Sequence, residues 1–484
     1  MKKNNIVVNY LYNVSYQILI MILPLVTAPY IARVIGSEGI GIHTFYRSIA
    51  SYFVLFAMLG MNNYGNRTIA SIRDDTEKRN KMFSSMFSFQ LIMSLVATVG
   101  YFIFVQFVAE SNYFIAMLFI IYVLSAALDI NWFFFGLEEF KMVVNRKIMF
   151  KIISVACIFL LVKTPEDLWI YSLIMCLELF FGQAIMWIFL RKHVSFVKPT
   201  IKEIFSHFRY TIILFVPSIV TFLYRELSKI LLGFLGTMED VGLFEYSEKV
   251  IMMCLGLISA LGTVMLPKMA YSKAQNDYVT MKKYIIDSMQ FAMILAFAIA
   301  FGYAAIAPEF SVVFFGDDFS SSSILMIGLS ISVPFIAWAN VIRMQYLIPN
   351  ALDSVYLKST IVGVIINISL NFILIPKMGA LGAVIAAVTT EISVALTQTL
   401  LIKHSLDIKQ YVLNAVPYAV IGIVMYFCVR LIASIFGSTI KGLILELVVG
   451  GFVYLSLCIL YFIISKNDLA KRFYDLIKSK LFSK

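Results

Sequence analysis

Apolar stretches about as long as a bilayer is thick recur along nearly the whole of this 484-residue chain. A helix needs about 20 such residues to cross the hydrocarbon core, where every peptide group must bond within the protein. The stretches fall near 10–33, 42–62, 83–108, 113–135, 144–162, 168–190, 211–235, 242–265, 285–306, 324–348, 356–375, 380–402, 412–435 and 442–464. That is about fourteen spans. The fifth is the weakest, because Arg146, Lys147 and Lys151 crowd it. Only 14% of the residues are charged and 61% are hydrophobic. A soluble domain carries about 25% charged residues. A water-soluble fold could not hide this much apolar surface, so the spacing predicts an all-α integral membrane protein. The first apolar run is too long for a signal-peptide core and lacks a small-residue cleavage pattern, so it reads as a retained span.

The net charge of +11 raises the question of nucleic acid. The basic residues sit in short gaps between apolar stretches and not on one soluble patch, which argues against a nucleic-acid partner. The five cysteines lie inside apolar stretches with no CxxC pair, and the four histidines are scattered. Neither pattern suggests disulfides or a metal site. No GxxxxGK[ST] stretch occurs, and no soluble segment is large enough for an ATPase.

The gaps differ in charge. Alternate gaps hold only Arg33, Lys163, Lys377 and Lys441. The others are basic, as in Arg67, Arg73, Lys78, Arg79 and Lys81, or Arg191, Lys192, Lys198, Lys202 and Arg209. The positive-inside bias makes the basic side cytoplasmic and places both termini there. A bacterial cytoplasmic membrane is the expected location. After Lys466, Leu469, Phe473, Leu476 and Ile477 recur at helical spacing among lysines, as in a tail lying on the membrane surface.

Two stretches resemble each other about 200 residues apart, the signature of a duplication. Gly36, Glu38, Gly41 and Tyr46 match Gly236, Glu239, Gly242 and Tyr246, and Arg67, Ser71 and Lys81 match Lys268, Ser272 and Lys282. Six spans separate the copies, so the repeats run parallel. In transporters built this way the substrate site lies between the halves. The organisation expected is a six-helix bundle over 1–190, a linker over 191–210 and a second bundle over 211–403. Two further spans over 404–465 and the tail over 466–484 complete it.

A charge in hydrocarbon costs about 2.5–3.5 kcal/mol on insertion scales, so each needs a partner, a cavity or a route to the interface. Arg33, Arg47, Arg225, Lys229 and Lys249 fall on the first two spans of each copy. Arginine forks and lysine point charges suit a pyrophosphate, so a cationic, water-filled cavity is one reading. Structural pairing is the other, since Glu226, Glu245 and Glu248 lie close by in sequence. Arg33 and Arg47 can also snorkel outward. Arg343 reads as snorkelling, Arg430 receives no role, and Asp287 and Glu446 read as interfacial. Asp129, Glu178 and Glu391 are candidates for sodium or proton coupling, against hydrogen bonding to a neighbouring helix. Pro24, Pro29, Pro217 and Pro334 fall within spans, where they serve either alternating access or static kinks.

The stretches LPLVTAPYIARVIGSEGIG, YGNRTIASIRDD, LDINWFFFGLEEFK and NISLNFILIPKMGALGAVIAAVTTEI resemble the polysaccharide repeat-unit flippases. These are the O-antigen and capsule members of the multidrug/oligosaccharidyl-lipid/polysaccharide exporter superfamily. The resemblance runs to about residue 400. It implies two six-helix bundles in a V plus two C-terminal helices, with a central cavity lined by helices 1, 2, 7 and 8. It implies a substrate, undecaprenyl-pyrophosphate-linked oligosaccharide, carried to the outer leaflet, where a polymerase acts. It also makes Arg47 and Arg225 the nearest counterparts of lumen arginines. No catalytic residue, cofactor or metal is implied, and the coupling ion, sodium or proton, stays open. The alternatives are a multidrug/cation antiporter, a peptidoglycan-precursor flippase, a structural membrane protein and an integral-membrane enzyme. An antiporter for cationic drugs wants an acidic cavity. An enzyme needs a large outer loop, yet the longest outer gap, 307–323 with Asp317 and Asp318, is short.

Overall fold

The computed structural model describes residues 3–109 and 112–465, with side chains from residue 23 onward except Pro24. The basic tail expected over 466–484 lies outside the described residues. The chain forms two compact units, Met1–Gly242 and Leu243–Lys484. All regular structure among the described residues is helical.

The first unit begins with α1 (Lys3–Met58), α2 (Met61–Ile72), α3 (Thr76–Val108), α4 (Tyr113–Leu128) and α5 (Asn131–Gly136). It continues through α6 (Phe140–Leu161), α7 (Leu168–Ala184), α8 (Met186–Leu190), α9 (Ile201–Ser206) and α10 (Phe208–Leu235). The division between units falls inside α11 (Met238–Ala274). The second unit adds α12 (Tyr278–Phe310), α13 (Ser322–Ser330), α14 (Val333–Ile342), α15 (Asp353–Met378), α16 (Ala380–Ile402), α17 (Ile408–Phe436) and α18 (Ile440–Ser465).

Twelve helical stretches among the described residues are long and apolar enough to cross a membrane by length and composition. Two physical facts separate this count from the fourteen spans read above. Spans one and two join in α1, whose backbone leaves helical geometry only at Gly36, with φ 77°. That left-handed conformation is open to glycine at no steric cost. Span five forms as α6, but Arg146, Lys147 and Lys151 make it too charged for the apolar criterion. Pro217 sits inside α10. Pro334 instead starts α14, just past the break after α13.

In the first unit α1 packs on α3, α4, α6 and α10. Trp132 of α5 is fully buried and donates its indole N–H to Gln90 Oε1 at 2.8 Å. α2 fits against it only because Gly65 has no side chain: a Cβ there would stand 2.5 Å from the indole. Gly136 makes the same allowance for Ile69, at 2.7 Å. The residues that made YGNRTIASIRDD and INWFFFG distinctive are therefore the two faces of one tight packing.

In the second unit α12 packs on α13, α14, α17 and α18, and α15 pairs with α16. The α15–α16 turn passes through Gly379 at φ 54°, and a Cβ on Gly382 would lie 2.5 Å from the Leu374 carbonyl. The duplicated segments carry equivalent caps. Asp75 accepts the N–H of Lys78 at the start of α3, and Asp277 accepts the N–H of Thr280 at the start of α12, each at 3.0 Å. These hydrogen bonds hold both carboxyls below the ordinary range, led by the Lys78 N–H at Asp75 and by Thr280 at Asp277.

Candidate functional site

Four of the five cations singled out above lie on two helices of the first unit that pack together. α1 and α10 meet through three aromatic pairs: Phe45–Phe234, Tyr52–Phe222 and Phe56–Phe215, with ring centroids 5.1, 4.8 and 5.3 Å apart. Numbers rise on one helix as they fall on the other, so the two segments run antiparallel. Between the first two pairs Ser48 donates to Glu226 Oε2 at 3.0 Å. Lys229 Nζ approaches the same carboxylate at 3.8 Å and is buried. Structural pairing therefore describes Lys229.

Arg47 and Arg225 adjoin the two ends of that hydrogen bond in sequence. Arg47 is half-buried, whereas Arg225 and Arg33 are exposed. Exposed guanidinium groups on long apolar helices require water, headgroups or a ligand around them, because hydrocarbon does not solvate them. Lys249, in the second unit, stands 4.6 Å over the Tyr246 ring, and Glu245 beside it is buried.

The acids have separate settings. Asp129 lies inside the fourth apolar stretch, at the break between the end of α4 at Leu128 and the start of α5. It accepts the Asn131 backbone N–H at 2.9 Å. Glu178 accepts from Lys151 at 3.2 Å and from Ser154 at 2.5 Å. Both acids line a polar cavity of about 640 Å³ inside the first unit. Its cations are Arg146, Lys147 and Lys151, and Asn62, Asn63, Asn66, Asn131 and Gln183 supply carboxamides. Arg146 is held from behind, donating to the Gly182 carbonyl at 2.6 Å and to Gln183 Oε1 at 2.7 Å. Asn131 donates to the same Gln183 oxygen at 3.1 Å. An amide-rich chamber of this kind can meet hydroxyls and anionic oxygens together.

Glu391 is half-buried on α16. At the preceding residue, Thr390 accepts from Asn367 at 3.3 Å, and Asn367 in turn accepts from Asn371 at 2.9 Å. The second unit also holds a cleft of about 800 Å³ lined almost wholly by apolar side chains, among them Phe297, Phe301, Pro334, Phe335, Trp338 and Phe427.

Sequence reasoning treated Arg146, Lys147 and Lys151 as a flaw in a span. The signal that they belong to a site was available, since three cations within six residues of an apolar helix require partners. Asn131 and Gln183 gave no such signal, because amides are common at helix ends.

This is a multi-pass, all-helical membrane protein whose long apolar helices carry charges in polar settings, the plan of a membrane carrier. Residues 6–273 match the family described as polysaccharide biosynthesis protein. The chain belongs to that family. A candidate O-antigen transporter of Shigella dysenteriae is 24% identical over 82% of this chain and 98% of its own length. A candidate O-antigen transporter of Escherichia coli is 21% identical over 79% of this chain and 93% of its own. A candidate low-salt glycan biosynthesis flippase of Haloferax volcanii is 25% identical over 63% and 64%. Among solved structures, the lipid II flippase MurJ in an inward closed conformation shares the fold with a TM-score of 0.74. It is 15% identical, over 95% of this chain and 100% of that one. An outward-facing multidrug resistance MATE transporter gives a TM-score of 0.51 at 14% identity, over 82% and 93%.

Proposed function

We propose that this protein flips undecaprenyl-pyrophosphate-linked oligosaccharide repeat units from the cytoplasmic to the outer leaflet of a bacterial cytoplasmic membrane. Family membership and the O-antigen and glycan-flippase relatives support this reading. The observation that carries it is the pair of exposed guanidinium groups, Arg33 and Arg225, on helices otherwise fit for lipid. A pyrophosphate cannot cross hydrocarbon unshielded, and arginine's fork matches its oxygens. Arg33, Arg47 and Arg225, all in the first unit, neutralise the headgroup in this mechanism. The sugars stay in water, the prenyl chain stays in lipid, and access to the cations alternates between the two membrane faces. Both termini are cytoplasmic, and a polymerase of surface polysaccharide consumes the product outside.

The test is translocation of a defined lipid-linked oligosaccharide by the purified full chain in proteoliposomes. Arg225→Ala should abolish translocation while the protein stays folded in detergent. Unchanged translocation would sink the cationic mechanism. Lipid II belongs in the same assay as a competitor, because the MurJ fold is shared and a peptidoglycan precursor offers the same pyrophosphate. Preference for lipid II would replace the substrate and leave the mechanism standing.

A further inference from the structure

The second unit buries a carboxyl group that nothing above employs. Glu446, on α18, has no exposed surface, and neither of its carboxyl oxygens has a hydrogen-bond partner among the described residues. The sequence reading had placed it at the interface. α18 packs on α12 and α17, which supply its charged neighbours, Glu309 and Arg430. Arg430 spans the gap between them, with Nη1 2.6 Å from Glu309 Oε2 and 3.0 Å from the Ala305 carbonyl. Glu309 is itself buried. Of the remaining ionisable groups on these helices, Tyr303 of α12 donates to the Ser247 carbonyl at 2.8 Å, Tyr426 of α17 is half-buried one turn before Arg430, and Lys441 of α18 is exposed.

Two carboxyls thus lie in the field of one guanidinium, and only one of them, Glu309, is in contact with it. Glu309 holds the guanidinium directly. Ionising Glu446 as well would leave a net negative charge without hydrogen bonds or water, which is the costly arrangement. The neutral acid is the form this place tolerates. A metal cation is a poor alternative occupant, because Arg430 already supplies the positive charge and would repel a second one.

We propose that Glu446, with Arg430 and Glu309, forms a proton-carrying site on the last two helices that couples transport to the proton gradient. The inference rests on the flippase reading of this chain. Proton release breaks the Glu446 O–H bond. The proton passes to water admitted from one membrane face, and the electron pair stays on the carboxylate. Arg430 then accepts that carboxylate as a second ion-pair partner beside Glu309. Reprotonation from the other face returns the neutral acid and frees Arg430 to Glu309 alone. The loaded and unloaded forms favour different packings of α12, α17 and α18, which is what a coupling site requires.

Two measurements on the purified full chain test this. Infrared difference spectra in detergent should show a protonated-carboxyl C=O band that is lost in Glu446→Gln. In Glu309→Gln the competing charge is gone, so Glu446 should ionise onto Arg430 and the band should disappear at neutral pH. In proteoliposomes an imposed proton gradient should speed oligosaccharide translocation severalfold, with no response to a sodium gradient. Glu446→Gln should lose that acceleration, and Glu446→Asp should retain it. A band unaffected by Glu446→Gln, or a full gradient response in that variant, would overturn the proposal. Wild type that binds protons in the infrared experiment yet moves no oligosaccharide would instead overturn the flippase reading.

Discussion

The two units each enclose a sizeable space, and the two spaces are built on opposite principles. The first unit's cavity of about 640 Å³ is lined by five carboxamides, three cations and two carboxylates. The second unit's cleft of about 800 Å³ is lined by rings and aliphatic chains. In the polar cavity several lining groups are positioned by one another: Gln183 holds both Arg146 and Asn131, while Lys151 and Ser154 hold Glu178. In the apolar cleft the Trp338 indole donates to Thr399 at 2.9 Å, while the Ser330 and Thr399 hydroxyls turn back onto carbonyls of their own helices, Ile327 and Ala395. Polar surface inside a membrane protein survives only as a connected set, whereas apolar surface survives piecemeal. The polar chamber should therefore be brittle and chemically selective. The apolar cleft should tolerate substitution and suit a flexible hydrocarbon such as the prenyl chain of the proposed substrate.

That contrast can be broken by substitution. The largest effect is expected at Arg146. Its replacement by leucine takes the guanidinium donor from the Gly182 carbonyl, leaves Gln183 Oε1 with Asn131 alone and removes one cation from a charge set that includes Asp129. Loss of one member of a buried charged network costs about 3–5 kcal/mol, read as a sharp fall in the thermal midpoint of the detergent-solubilised protein. An unchanged midpoint would mean the network is not connected as described. Trp132→Ala should come close, at about 3–5 kcal/mol, since it empties a fully buried indole site and orphans Gln90 Oε1. Gly65→Ala presses a methyl group into the same indole and should cost about 1–3 kcal/mol. The double variant Gly65→Ala, Trp132→Phe should recover part of that loss if the clash is the cause.

In the apolar cleft a volume-conserving change such as Leu396→Met should cost less than about 1.5 kcal/mol. A loss as large as that of Arg146→Leu would erase the contrast between the two spaces. The smallest effect is expected at the Asp75 cap, outside the spans. Its carboxyl is held below the ordinary value by the Lys78 N–H, so its contribution is present at neutral pH. It is lost as the pH falls through the lowered value in the folded state. Protection of the first-turn amides of α3, taken relative to their intrinsic exchange rates, should fall on acidification in wild type, whereas Asp75→Asn, a neutral cap, should show no such step.

Much of the fold was legible because lipid imposes a length and a hydropathy that sequence states directly. Each long apolar helix of α7, α10, α12 and α15–α18 coincides with an apolar stretch read from the sequence. The two similar stretches about 200 residues apart each end near an aspartate cap, Asp75 and Asp277. The count of spans was not legible, because Gly36 breaks α1 without ending it and because charge on α6 hides a helix from hydropathy. The candidate cations Arg33, Arg47 and Arg225 could be named as expensive from sequence. Which of them is exposed, and that Lys229 leans on Glu226, could not. Glu309 drew no attention at all, since a single glutamate near the end of a span usually marks an interface.

Composition and the spacing of apolar runs alone determined the solvent and the secondary structure of this protein. Those depend on how each segment of chain exchanges water for lipid, which is a local matter. Folding in three dimensions alone decided that Arg430 meets Glu309 across 121 residues, that Glu446 is enclosed beside them, and that Gln183 joins Asn131 to Arg146. Whether a charge inside a membrane is paired, wet or neutral depends on side chains brought in from distant helices, and no local pattern of residues encodes that.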